Sequence, residues 1–135
     1  VGALPVWDGR LLLCRRSIEP RYGYWTLPAG FMENDETAGD AALRETLEEA
    51  GARIELASPF SMVSVPAVNQ VHLFYRARLL DLEFKPGVES LEVVLFEEAA
   101  VPWREIAFRT VGITLRHWFA DRARGVFGFH SEDVK

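Results

Sequence analysis

The sequence is poor in cysteine, in histidine and in long apolar runs, and each shortage excludes something. One cysteine, Cys14, can form neither an internal disulfide nor a cysteine zinc site. It sits inside an apolar run, which reads as a buried thiol in a reducing cytosol. No apolar stretch approaches the eighteen or so residues of a membrane span, and the N-terminus lacks the basic start and small-residue cleavage pattern of a secretory signal. A cytoplasmic protein without membrane association is expected. His72, His117 and His130 are scattered without metal-ligand spacing and receive no role. Basic residues are outnumbered, 15 against 20 acidic, giving a net charge of -5 and a pI near 5.2. That balance excludes a general nucleic-acid polymer binder, which needs clustered Lys and Arg. A small polyanion would have to be met by a local basic patch or a bound metal. An initiator Met is missing too, so an upstream segment ahead of Val1 is allowed for. What is present is 135 residues, 49% of them apolar, the size of one domain with a real core.

The apolar segments "GALPVW" and "RLLLCRRS" flank Asp8-Gly9, a dipeptide that favours a hairpin turn. Pro5 marks the first of these strands as an edge. After "IEPRYGYW" comes "WTLPAGF", interrupted by Pro28 and Gly30. A helix is predicted from Thr37 to Ala50, with Thr37 and Asp40 resembling a capping box, Leu43, Leu47 and Ala50 as the apolar stripe that docks on a sheet, and Gly51 as the stop. "RIELASPFSMVSV" reads as one or two strands, and Pro66 to Asn69 as a loop. In "VHLFYRARLL", Val71, Leu73, Tyr75, Ala77 and Leu79 alternate with His72, Arg76 and Arg78, the pattern of a half-exposed strand. "KPGVES" turns the chain into the strand "LEVVLF". Phe108, Val111, Leu115, Trp118 and Phe119 predict a second helix to about Ala120, and the tail after Gly125 carries little signal. With no internal repeat, the sum is an α+β layer fold, a mixed sheet with two helices.

The first helix poses a problem of charge. At 100° per residue Glu45, Glu48 and Glu49 fall within about a 100° sector beside the apolar stripe. Like charges so placed raise one another's pKa and weaken a helix. Arg44 can pair with Glu48 across one turn but cannot satisfy all three. Hard oxygen donors gathered this way suit Mg²⁺ or Mn²⁺. A solvated acidic helix face is the plainer explanation of "RETLEEAG" by itself.

The wider spacing weighs against that explanation. Gly30, five residues, Glu36, seven residues, Arg44-Glu45, two residues, Glu48-Glu49, one residue and Gly51 together resemble the signature of the Nudix hydrolase family at every fixed position. Only aliphatic slots depart, at Thr46 and Ala52. The resemblance implies an α/β/α sandwich-like fold, with a single such domain over residues 1–135. It also implies divalent metal held against the diphosphate of a nucleotide derivative. Carried over by position, Glu45, Glu48 and Glu49 look like metal ligands, the Gly30 carbonyl like an additional one, Arg44 like the residue that orients the glutamates, and Glu36 like an outer partner near the helix start. Carboxylates on a rigid helix suit a reaction in which metal neutralises pyrophosphate charge and activates water.

The general base is open between Glu45 and Glu89 of the "PGVES" loop, with Glu92 a weaker third. The segment "RRSIEPRYGYWTLPAGFME" resembles a subgroup related to ADP-ribose and FAD pyrophosphatases, some with a zinc ribbon ahead of the domain, for which a chain with one cysteine has no ligands. Arg15, Arg16 and Arg21 are candidates for phosphate, Tyr24, Trp25 or Tyr75 for stacking on a ring, and Gln70 for a base edge. Each of these aromatics is individually more often core, and Gln70 more often a plain loop amide. Two classes follow: a metal-dependent pyrophosphatase acting on ADP-ribose, FAD, NADH, a dinucleoside polyphosphate or an oxidised nucleotide, and a non-hydrolytic Nudix-fold nucleotide sensor, which loss of a signature glutamate would mark. None is lost. Trp103, Trp118 and Phe127, read as exposed aromatics, permit a homodimer without requiring one.

Overall fold

A computed structural model describes residues 1–135. The chain runs β1 (Gly2–Trp7), β2 (Arg10–Arg16), β3 (Trp25–Thr26), α1 (Ala38–Ala50), β4 (Ile54–Val65), β5 (Gln70–Leu79), β6 (Ser90–Phe96), α2 (Arg109–Arg124) and β7 (His130–Asp133). The seven strands form one mixed sheet in the order β3-β2-β1-β5-β4-β7, with β6 also paired to β2. β1 and β2 form the hairpin at Asp8-Gly9, where both residues take positive φ (49° and 72°), as the two central positions of a type I′ turn require. β1 pairs in parallel with β5, and β4 in parallel with β7, while β4 and β5 are antiparallel.

β2 shows why its apolar run is continuous. Leu11 and Leu13 join a core with Leu4, Phe60 and Phe74 that takes Val111, Leu115, Trp118 and Phe119 from α2. Leu12 and Cys14 join Ala3, Ala77 and Leu79 in a second core with Ala50 of α1. Successive side chains point to opposite faces, so a strand covered on both sides is apolar throughout. The sheet is therefore packed between two helices, and no helix is long and apolar enough to cross a membrane.

Several expectations are corrected. Leu43 and Leu47 are 40% and 55% exposed, while Ala41, Ala42, Thr46 and Ala50 are buried. On the helical wheel Ala42, Thr46, Glu45 and Glu49 share about a 100° sector, so α1 docks through small residues and carries two glutamates inward. Buried Thr46 returns its hydroxyl to Ala42 O at 2.7 Å. β5 is central, not half exposed: Phe74 is buried on the α2 side and Val71 is exposed. β1 is not an edge either. Ala3 N–H donates away from β5 to Pro28 O, and Pro5, two residues on, faces the same way, where β1 and β2 have parted; its missing N–H costs no ladder bond. β7, in the tail that the sequence left unassigned, pairs with β4. Trp118 is buried, and Trp103 and Phe127 pack against the α2-side core, so none is the free aromatic that would serve a dimer.

Candidate functional site

The site is built where the Pro28–Gly30 segment crosses α1. Thr37 caps the helix, accepting from Asp40 N–H at 3.0 Å, and Glu36 accepts from Glu33 N–H at 2.9 Å. Gly51, at φ 60°, closes the helix by donating to Leu47 O. The remaining C-terminal carbonyls are satisfied from a distance: Lys85 N–H donates to Ala50 O at 2.8 Å and Gly87 N–H to Glu49 O at 3.0 Å. The loop bearing Glu89 is thereby fastened to the end of α1, with the Glu89 carbonyl accepting from Ser17 N–H at 3.0 Å. The backbone there is anchored, and only the exposed side chain of Glu89 is free to turn.

Arg44 organises the acidic face. It donates to Glu36 twice (2.7 and 3.0 Å), to Glu45 Oε1 at 2.7 Å, to Glu48 Oε2 at 3.2 Å and to Phe31 O at 3.0 Å. Those bonds hold the Glu36 carboxyl at about 2, below the usual carboxylate range. Gly30 closes over Glu45 so tightly that a Cβ there would lie 2.3 Å from the carboxylate carbon. The Gly30 carbonyl accepts from Val1 N at 2.8 Å. Glu49 accepts from Ala29 N–H at 3.4 Å, and burial, then its hydrogen bond with Glu45 and the Glu45 charge, push its carboxyl up to about 8.

Arg44 compensates Glu45 from one side, and the charge that burial disfavours on Glu49 is one that a bound cation would favour. Hard oxygen donors with that charge deficit fit Mg²⁺ or Mn²⁺. No three acidic or histidine side chains converge into a preformed cage, and the exposed Glu48 carboxylate is paired with Arg44.

The other sequence candidates divide. Arg16 lies near enough to Glu49 for its charge to act there, its Nε donates to Pro20 O at 2.8 Å, and its guanidinium lies 5.0 Å from the Phe108 ring centre. Arg21 stacks on Tyr24 at 5.1 Å in the loop beyond β2. Trp25 is corrected to a core residue, 8% exposed and edge-on to Phe96 at 5.0 Å. Tyr75 lies within β5, paired with Ala3 and Pro59. Arg15 and Glu92 are consumed by each other at 2.9 Å. Gln70 opens β5, and its Oε1 lies 2.8 Å from His72 Nε2. His72 and Phe108 carry no spacing signal for a site: one is an isolated histidine in an alternating strand, the other an apolar residue heading a helix. Away from the glutamates, a hollow at the β1–β2 turn is lined by Arg10, Glu97, Glu98 and Arg122.

This sheet between two helices, with its Arg44-ordered glutamates, has the layout of the family named above. The family model described as the NUDIX domain matches residues 1–119, and the chain belongs to the Nudix family. An ADP-ribose pyrophosphatase from Methanocaldococcus jannaschii is 31% identical over 99 residues, covering 70% of this chain and 59% of that protein, so the chain spans under two thirds of that relative's length. The crystal structure of a NUDIX hydrolase from Nitrosomonas europaea superposes with a TM-score of 0.96 at 49% identity, covering 98% of this chain and 76% of the other. An ADP-ribose pyrophosphatase from Streptococcus suis shares the fold, with a TM-score of 0.70 at 20% identity and coverage of 98% and 96%.

Proposed function

We propose that this chain hydrolyses the pyrophosphate bond of a nucleoside diphosphate derivative with Mg²⁺ or Mn²⁺, and that ADP-ribose is the first substrate to test, followed by FAD. The observation that carries this reading is the Glu45–Glu49 carboxylate pair, withdrawn from solvent against Gly30 and ordered by Arg44 from the Glu45 side. Glu45, Glu48, Glu49 and the second lone pair of the Gly30 carbonyl would hold the metal, which when bound neutralises the diphosphate and activates water. Arg44 fixes the rotamers of Glu45 and Glu48. Glu36 in turn holds Arg44. Arg16, whose charge reaches Glu49, would meet the phosphates, with Arg21 and Tyr24 of the loop after β2 beside it, and Gln70 would meet the group beyond the diphosphate. Trp25 supports this rim from the core. Glu45 or Glu89 takes the proton from the attacking water; Glu92, bound to Arg15, is displaced from that role. The name of the archaeal relative favours ADP-ribose, and the buried single thiol suits a cytoplasmic setting.

Hydrolysis of ADP-ribose, FAD, NADH, diadenosine polyphosphates and 8-oxo-dGTP with Mg²⁺ or Mn²⁺, run beside a Glu48→Gln/Glu49→Gln double variant, tests the proposal. Cleavage by the parent and not by the variant supports it. Binding of one compound without cleavage would replace it with a nucleotide-sensing module.

A further inference from the structure

β5 begins at the end of the sheet where the glutamate site lies: Gly2 of β1 pairs with Phe74 of β5 and bridges to Ala29, beside Gly30. Arg16 acts on Glu49 and lies over Phe108. Phe108 is the residue before α2, and Thr110 follows in its first turn. The buried Thr110 hydroxyl lies 2.7 Å from His72 Nδ1, and His72 Nε2 lies 2.8 Å from Gln70 Oε1. Both ring nitrogens of His72 are thus engaged, one toward the helix and one toward the strand end.

The bonding roles follow from chemistry. A carboxamide oxygen only accepts, so the proton resides on Nε2, and Nδ1 accepts from the Thr110 hydroxyl. Burial lowers the His72 pKa and favours this neutral form. With Oε1 turned to His72 Nε2, the half-buried Gln70 carboxamide has its NH₂ group, two donors, at the end away from the ring.

Resting on the proposed hydrolase reading, we propose that His72 is a positioning residue that locks the Gln70 carboxamide with its NH₂ toward the substrate, so that the site selects a diphosphate-linked moiety presenting a hydrogen-bond acceptor there. The Arg16 guanidinium, which has donors only, lies at the same end of the sheet and adds to that polarity. His72 touches no reacting atom and acts only through Gln70.

The test is a double-mutant cycle on the panel compound the parent cuts fastest, ADP-ribose with Mg²⁺ being the first probe. Gln70→Ala is expected to raise KM about tenfold, the loss of one hydrogen bond, with kcat nearly unchanged. His72→Phe should raise KM in the same direction, and the double variant should match Gln70→Ala alone. Thr110→Val, which removes only the hydroxyl, should repeat the His72→Phe effect in weaker form and serves if His72→Phe does not fold. Gln70→Glu, which offers an acceptor in place of the donors, should raise KM more than Gln70→Ala. Additive effects of His72 and Gln70, or a Gln70→Glu variant that binds better than Gln70→Ala, overturn the inference while parent activity stands. A parent that cuts nothing overturns the hydrolase reading itself, and this inference with it.

Discussion

Arg44 and Glu36 meet through a two-pronged pair, Nε to Oε2 at 2.7 Å and Nη2 to Oε1 at 3.0 Å, eight residues apart across the start of α1. A planar fork is needed to hold Glu36 on one edge and Glu45 and Glu48 on the other, and a lysine ammonium cannot do both. Arg44→Lys is therefore expected to lower kcat/KM about 10- to 100-fold, the usual effect of removing a residue that orients metal ligands. Steady-state kinetics with circular dichroism as the folding control checks it.

Glu45 and Glu49 should stand apart from Glu48. The first two are withdrawn from solvent against Gly30, and the Glu48 side chain is 57% exposed. Glu49→Gln is expected to reduce kcat by at least about 100-fold, and Glu48→Gln by less. Equal losses in a kinetic comparison would count against the inward placement of Glu49.

Metal should stabilise the fold by relieving the same pair. A ligand at about 100 times its Kd adds about 2.7 kcal/mol, so a thermal melt with saturating Mg²⁺ should shift upward, and the shift should shrink in Glu45→Gln/Glu49→Gln. An unchanged melt with Mg²⁺ and a substrate analogue would contradict the assignment of these donors.

Gly87 is a second point of close approach: a Cβ there would come within 1.8 Å of Glu48 O. Gly87→Ala must lift the loop from α1 and break the Gly87 N–H to Glu49 O bond, at a cost of about 1–3 kcal/mol. Chemical denaturation measures that loss, and Glu89→Gln kinetics show whether the carboxylate on the same loop serves as base.

Asp121 contributes stability that acid removes. It is fully buried; burial raises its pKa, but hydrogen bonds from His130 at 2.7 Å and Gly128 N–H at 2.9 Å, with Arg124, more than offset this, so the net shift is downward. A lowered folded pKa contributes stability above the unfolded value, about 3.9, and loses it as pH falls through the folded value. Asp121→Asn should be less stable than the parent at pH 7, with the gap narrowing below about pH 4. A gap that widens on acidification in a pH series of denaturant melts would contradict this.

The sequence made legible whatever has a local cause. Thr37 and Gly51 bound α1 because caps are written in neighbouring residues, and the Asp8-Gly9 turn follows from the φ it demands. The Nudix spacing named the glutamates. What failed depended on distant chain. Leu43 and Leu47 look like a docking stripe, but α1 sits close to the sheet through Ala42, Thr46 and Ala50, which only the tertiary packing decides. Trp25 reads as a stacking ring until Phe96 closes over it. His72 has no neighbour in sequence that announces Thr110, 38 residues away.

β7, four residues with the sequence His-Ser-Glu-Asp, lies along Ser61–Ser64 of the twelve-residue β4. Without it, part of a long strand would present open N–H and C=O groups to any other extended chain. Its own outer margin is short and doubly acidic, and two such margins repel. The weakest sequence signal in the fold thus lies where it keeps one molecule's sheet from continuing into the next. Removing it would be expressed first in aggregation, before any change in the distant glutamates.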